Sequence, residues 1–326
     1  MATPPSEKFL GIISWYGLLI VLGAALAVFL ADREARRQRL PDDLIVDLAL
    51  RVLPLGILGA RIYYVLFSLP AFAKNPVSVL YIWQGGLAIY GGLIAGALTV
   101  VVFCRRRKIP VLRMLDILVP GVALAQAIGR WGNYFNQEAY GWRISESSAL
   151  AFFPAAVLIQ ESNGASWHLA AFFYESVLDI SVFLFLIWGR RKLFRKQGDL
   201  FLFYLLLYAA GRLVIENLRT DSLYLGSSVR ISQLFSVLLC VLVTGILFLR
   251  RRKSGKMSPA AVIPVLISFL FHALLLWYAA GGTLPFLQAR TDCVLFLGAY
   301  SLCQVICSLI LYGSSRTEDS AACAGT

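Results

Sequence analysis

The sequence predicts an all-α fold. It reads as a polytopic integral membrane protein, with seven spans in a continuous body, a two-span C-terminal extension, and the N-terminus outside. Three observations carry this. Hydrophobic residues make up 59% of the 326, and the mean hydropathy is +0.74, too apolar for a soluble chain of this length. The apolar residues form continuous blocks, where a membrane β-barrel requires alternation in segments of about ten residues. Most Lys and Arg fall in four clusters, 33–39, 105–113, 190–196 and 250–256, each just after an apolar run. That is the positive-inside pattern.

The same clustering accounts for the net charge of +12. The expected partners of these cations are anionic membrane lipids at the cytoplasmic face; nucleic acid is not expected. The six cysteines (104, 240, 293, 303, 307 and 323) lie mostly in or at the ends of apolar runs. They form no CxxC and no Cys/His grouping, and the only histidines are His168 and His272. No metal and no cofactor are therefore expected.

Residues 1–8 are short and polar, and run 9–31 is too long for a signal-peptide core, so it reads as the first span. The arginines after it put its far end inside. Further spans are expected at 45–69, 77–104 and 114–135, followed by a polar outer segment, 136–166, reaching into the interface. Spans at 167–188, 200–218 and 231–249 complete the body, with 219–230 as an outer loop. Runs 259–280 and 293–312 form the additional hairpin around an outer loop at Arg290, and the tail 313–326 falls inside. The division expected is thus a body at 1–256 and an extension at 257–326. No inverted repeat is visible. The glycines at 85, 86, 91, 92 and 96 suit close helix approach, or a backbone opening for a lipid headgroup.

Polar residues inside these spans are costly and mark candidate sites. Arg130, Asn133 and Asn136 end the fourth span, and Glu138 follows. Arg130 and Asn133 share a helical face, which Asn136 and Glu138 do not, so a helix break is expected near Gly132 or shortly after. Arg212 and Glu216 are i,i+4 in the sixth span, either as a private ion pair or as a pair that aims Arg212 at an anion. Arg219 follows, and Arg130, Arg212 and Arg219 are expected to converge toward the outer half. Arginine offers phosphate a planar, permanently charged fork. Tyr174-Glu175 suits an interhelical polar contact as well as a site, and Trp15-Tyr16 suits an interfacial anchor as well as a ligand contact.

These residues resemble a known family. Gly129-Arg130-Trp131-Gly132-Asn133-Tyr134-Phe135-Asn136-Gln137-Glu138-Ala139-Tyr140-Gly141 is similar to the defining motif of the prolipoprotein diacylglyceryl transferases. Trp15-Tyr16-Gly17, Gly59-Ala60-Arg61, the stretch from Gly85 to Ile94, Phe173-Tyr174-Glu175-Ser176 and the stretch from Gly211 to Leu223 resemble its other motifs, in the family's order. The resemblance covers residues 10–250. It implies transfer of the diacylglyceryl group of phosphatidylglycerol to the lipobox cysteine of a prolipoprotein, with release of glycerol phosphate. It also implies a bacterial cytoplasmic membrane, with the site toward the outer leaflet. Arg130 and Arg212 would then hold the phosphate, and Asn133, Asn136 and Glu138 would fix the headgroup. Tyr16, Gly141, Glu216 and Arg219 would complete the lipid site.

In one position this chain departs from the family. Many relatives have a histidine before Gly-Gly-Leu, and here Tyr90 stands there. A phenol of ordinary pKa about 10 is a poor base, so Tyr90 is expected as a headgroup ligand or proton relay, and the group that deprotonates the thiol is unassigned. The hairpin beyond residue 256 has no counterpart in the resemblance. It suits a pair packed outside the bundle, or a partner-binding or lipid-gating element. The rival reading of the whole chain is a transporter or flippase for an anionic lipid. A non-catalytic scaffold accounts for neither the arginines nor the motif order.

Overall fold

The computed structural model describes residues 8–9, 11, 13–73, 75–161, 164–194, 196–222, 224–225, 229–253, 266–268, 270–271, 273 and 290–313. The N-terminal residues 1–7, most of the eighth expected span, the loop after it, His272 and the tail from 314 lie outside them. The chain forms two compact units. One comprises Met1–Gly23, Ala123–Phe194 and Asp199–Thr326, and the other Ala24–Val122 with Arg195–Gly198.

The long helices are α1 (Trp15–Arg37), α2 (Leu44–Phe67), α4 (Ile89–Arg106), α5 (Val111–Asn136), α6 (Ala171–Lys192), α7 (Asp199–Leu218), α8 (Ile231–Lys253) and α9 (Arg290–Gly313), with α3 (Leu69–Phe72) a single turn. Six of the described helices are long and apolar enough to cross a membrane; α2 and α7 fall where the second and sixth spans are expected. Large apolar residues face outward, such as Val21 at 66%, Leu50 at 71% and Phe67 at 75% exposure. In water such patches would be a liability; they are the surface a bilayer solvates.

In the second unit, α2 and α4 pack at glycine. A β-carbon on Gly59 would lie 2.8 Å from the Gly91 carbonyl oxygen, and one on Gly91 would strike Gly59 and Tyr63. Close backbone approach is the interface that membrane helices favour. Between these helices the chain is not one span. Residues Pro76–Leu80 and Ile82–Gln84 are short 3-10 turns, and the helix begins only at Ile89. The third expected span is therefore corrected from 77–104 to 89–106. The cause is Arg61, which is 7% exposed. Its guanidinium donates to the carbonyls of Ser78 (2.7 Å), Val79 (2.8 Å), Gly85 (2.8 Å) and Gly86 (3.0 Å). Carbonyls bound to that fork do not need helical amides. At the other end of this unit the charged side chains gather: Arg107 and Arg51 bind Asp47, and Arg113 binds Gln38.

In the first unit, α6, α7, α8 and α9 pack around Leu202, Phe203, Leu206, Ala209, Leu213, Val243 and Tyr300. One end of this unit is again basic: Arg250 pairs with buried Asp199 at 2.8 Å, and the last turn of α6 carries Arg190, Arg191 and Lys192. The segment between α5 and α6 contains a β-hairpin, β3 (Ala156–Glu161) paired antiparallel with β4 (Gly164–Leu169). The fifth span thus starts at Ala171, and His168 lies in a strand. The first span is likewise corrected. Residues 8–9 and 13–14 form β1 and β2, and the helix starts at Trp15. Arg290 opens α9 where an outer loop is expected. Two short strands, β5 (Tyr224–Leu225) and β6 (Val229–Arg230), pair in the loop after α7.

Candidate active site

The site is built at the ends of α5, α6 and α7 that lie away from the basic end. α5 runs through Gly132 and ends at Asn136, so the break expected near Gly132 or shortly after falls just beyond it. A β-carbon at 132 would strike the Tyr16 ring, so the glycine seats α1 against α5 within the first unit. Trp15 stacks on Phe135 beside it, with ring centroids 4.8 Å apart. The helix ends four residues later in a left-handed turn. Gln137 has φ 51°, its amide donates to the Tyr134 carbonyl at 3.3 Å, and the Glu138 amide donates to the Asn133 carbonyl at 3.0 Å. This pair of bonds is a Schellman ending.

The turn folds Glu138 back over the helix. Its Oε1 accepts from the Asn133 amide at 3.0 Å and from the Asn136 amide at 3.2 Å. The expected separation of Asn136 and Glu138 from Asn133 is thus undone by the turn, and the three form one exposed polar cluster. Gly141 comes next, bridged to Arg219. Its amide donates to the Leu169 carbonyl at 2.7 Å, and a β-carbon there would lie 2.7 Å from the Leu218 carbonyl. Gly141 therefore lets the segment after α5, strand β4 and the end of α7 meet.

The arginines converge on Glu175. This α6 residue is 2% exposed. Its Oε1 receives Arg130 at 2.6 Å and Arg212 at 2.8 Å, and its Oε2 faces Arg219 at 3.7 Å. Arg212 also pairs with Glu216 at 2.8 Å, and Arg219 grips Asp221 with two bonds, 2.9 and 2.6 Å. Burial pushes the Asp221 carboxyl up, but Arg219 more than offsets this and holds it below the ordinary carboxylate range. Three guanidinium groups thus share one buried carboxylate. Among the described residues Glu175 is the one ion-pair partner of Arg130, whose side chain stays 23% exposed. Such a fork has donors left for an anion.

Glu175 is the residue that sequence reasoning underrated. Its burden of three arginines depends on α6 facing both α5 and α7, which no local pattern reports. Its neighbours fix that placement. Ser176 donates to the Ala127 carbonyl at 2.8 Å and accepts from the Trp131 indole at 3.1 Å. Tyr174 donates to the Ala155 carbonyl at 3.0 Å, holding the hairpin segment. Arg230, also unmarked by the sequence, donates to the Glu216 carbonyl at 2.6 Å and to Asn217 at 3.1 Å, closing the end of α7. Tyr90 opens α4 in the second unit and is 42% exposed; the loop before it is pinned by Arg61 and by the Ala88 amide on the Ala60 carbonyl at 3.0 Å. Among the described residues no cluster of His, Cys, Asp and Glu could hold a metal ion.

A sequence model of the family described as prolipoprotein diacylglyceryl transferase matches residues 9–250. Phosphatidylglycerol–prolipoprotein diacylglyceryl transferases of several bacteria are similar to the chain. That of Streptococcus agalactiae is 45% identical over 242 residues, 74% of this chain and 93% of that protein. That of Streptococcus equi subsp. zooepidemicus is 43% identical over 244 residues, with the same two coverages of 74% and 93%. That of Lactobacillus delbrueckii subsp. bulgaricus is 43% identical over 246 residues, 75% of this chain and 88% of that protein.

Proposed function

The chain belongs to the prolipoprotein diacylglyceryl transferase family, and from that premise we infer that it catalyses the first step of bacterial lipoprotein maturation. It transfers the diacylglyceryl group of phosphatidylglycerol to the lipobox cysteine thiol of a prolipoprotein. The sulfur bonds to the terminal glycerol carbon of the diacylglyceryl group, the bond from that carbon to the phosphate oxygen breaks, and the thiol proton is released. Glycerol phosphate leaves. It works in the bacterial cytoplasmic membrane, with the basic helix ends inside and the arginine cluster toward the outer leaflet. The transferase body is 1–256.

The observation that carries this reading is the convergence of Arg130, Arg212 and Arg219 on Glu175, all within the matched region. The substrate phosphate is a diester with one charge. The departing monoester carries about −1.5 to −2 near neutral pH. Charge therefore grows on the phosphate as the carbon–oxygen bond breaks. Donors fixed beforehand where charge develops lower the barrier most. Arg130 and Arg212 are assigned that task, with Glu175 and Glu216 holding them in place. Asn133, Asn136 and Glu138 orient the glycerol headgroup, and Tyr16, Gly141 and Arg219 border it. Tyr90 is a headgroup ligand or proton relay, an assignment that rests on its motif position.

The test is direct. Purified protein, phosphatidylglycerol vesicles and a lipobox peptide should give a peptide heavier by one diacylglyceryl group, stable to thiol reagents as a thioether is. No mass shift, where a relative named above gives one, would end this reading.

A further inference from the structure

The family match stops at residue 250, so α9 lies beyond it. We infer that α9 is a brace for α7, and that Ser301 is a positioning residue for Arg212; the inference rests on the transferase reading above. α9 is not peripheral. Leu297, Tyr300, Ser301, Gln304, Ser308 and Leu311 form a buried stripe at helical spacing, with Tyr300, Gln304 and Ser308 at 0% exposure. The opposite face, with Leu295 at 72% and Leu302 at 62%, suits lipid. The buried stripe packs on Leu202, Leu206, Ala209 and Leu213 of α7. These recur at i, i+4, i+7 and i+11, a stripe that Arg212 does not share.

Polar ties fix α9 at three levels, two of them on α7. At the basic end, Tyr312 donates to Asp199 at 2.8 Å, at the first turn of α7. In the middle, Gln304 exchanges hydrogen bonds with Ser268 at 2.6 and 2.9 Å and accepts from Thr244 of α8 at 3.3 Å. Nearest the site, the Ser301 hydroxyl donates to the Ala210 carbonyl of α7 at 2.7 Å. Elsewhere in the chain, Thr99, Ser181 and Ser236 satisfy their hydroxyls on their own helix, four residues back. That is the default for a helical hydroxyl in a bilayer. Ser301, like Ser176 on Ala127, reaches across to another helix, at a carbonyl two residues before Arg212. A second donor on a helix carbonyl sets the tilt of that peptide and the rotation of that turn. The turn it grips is the one that presents Arg212 to Glu175.

The full-length protein, Ser301→Ala and Tyr312→Phe are compared for kcat, for KM toward phosphatidylglycerol and peptide, and for thermal unfolding. Because small displacements of a transition-state donor are costly, Ser301→Ala should lower kcat by about 3- to 10-fold with peptide KM unchanged, at temperatures where it is folded. Tyr312→Phe loosens the far end of α7. It should lower the unfolding midpoint and leave kcat within about 2-fold, since no donor to the phosphate moves. Should Ser301→Ala not fold, Ser301→Cys, which keeps the volume and weakens the donor, is read in the same way. Wild-type kcat in the folded Ser301 variant overturns the inference, as does loss of activity in both variants only in step with unfolding. An inactive wild-type protein would instead overturn the transferase reading on which the brace depends.

Discussion

Arg61 and Arg130 both lie in apolar helices, yet they are held in opposite ways. Arg61 gives four hydrogen bonds to backbone carbonyls and is 7% exposed. Arg130 has one partner among the described residues, Glu175, and keeps 23% of its side chain exposed. An intramembrane arginine is expensive in either case. The difference lies in what its donors do. A fork consumed by carbonyls organises a loop, and a fork resting on a shared carboxylate keeps donors for a ligand. Charge in a span thus points to a site only after its partners are counted.

The sharpest way to break this comparison is to remove the shared carboxylate. Glu175→Gln leaves Arg130 without its one ion-pair partner among the described residues and leaves Arg212 with Glu216 alone. Breaking a buried ion pair on one side costs about 3–5 kcal/mol, so a large fall in the unfolding midpoint is expected. Loss of a fixed transition-state donor costs about 10²–10³ in rate; here Arg130 loses its seat and Arg212 keeps only its tie to Glu216. Transfer to a lipobox peptide should fall below detection even in the fraction that folds. Robust turnover in Glu175→Gln would mean that the arginines are placed by something else.

The next effect separates the two arginines. Arg130→Ala should lose about 10²–10³ in kcat while the protein still inserts and folds. Arg61→Ala leaves four carbonyls without their donor; with about 1–3 kcal/mol for a buried group left unsatisfied, it should cut stability first, and activity only as folded protein is lost. Activity per folded molecule, measured for both, decides. Equal losses per folded molecule would erase the distinction drawn above.

Much of the fold and of the arginine cluster was legible in the sequence, and the unread part has physical causes. Apolar runs located the helices, and Arg130, Arg212, Glu216 and Arg219 stood out because charge is costly there. The boundary at Ile89 was not legible, because an apolar run from Val77 looks continuous until Arg61 takes its carbonyls. The face shared by Arg130 and Asn133 but not by Asn136 and Glu138 placed the helix end near Gly132 or shortly after; the packing role of Gly132, as the seat of Tyr16, was not legible. The weight of Glu175 and the role of Ser301 were not legible, for a shared reason. Each acts through a partner on another helix, and a one-dimensional pattern does not say which helices face one another.

A smaller effect is expected at Tyr90. Tyr90→Phe removes a hydroxyl and keeps the ring, and it should lower kcat by about tenfold, within the range of one hydrogen bond to a charged group. Complete loss in a properly inserted variant would make the hydroxyl essential, and an unchanged rate would remove Tyr90 from the site.

The smallest effect lies in the hairpin, outside the spans. The Ser166 hydroxyl first, then the His168 ring and the nearby Arg143, hold the Glu161 carboxyl below its ordinary 4.5, while desolvation opposes them. His168 also bonds the Gly141 carbonyl at 2.9 Å, so the hairpin is linked to the segment that closes the site. The sign follows from which state binds the proton. A carboxyl depressed in the folded state is protonated first in the unfolded chain, so its contribution is complete above the ordinary value and fades as pH falls through and below 4.5. Glu161 is partly exposed, which keeps the contribution small. The unfolding midpoint of Glu161→Gln should sit slightly below that of the wild type at pH 7, and the two should converge toward pH 3, as titration of a single carboxylate requires. A gap that stays constant across that range would mean that Glu161 acts by packing, leaving the hairpin's hold on Gly141 indifferent to its charge.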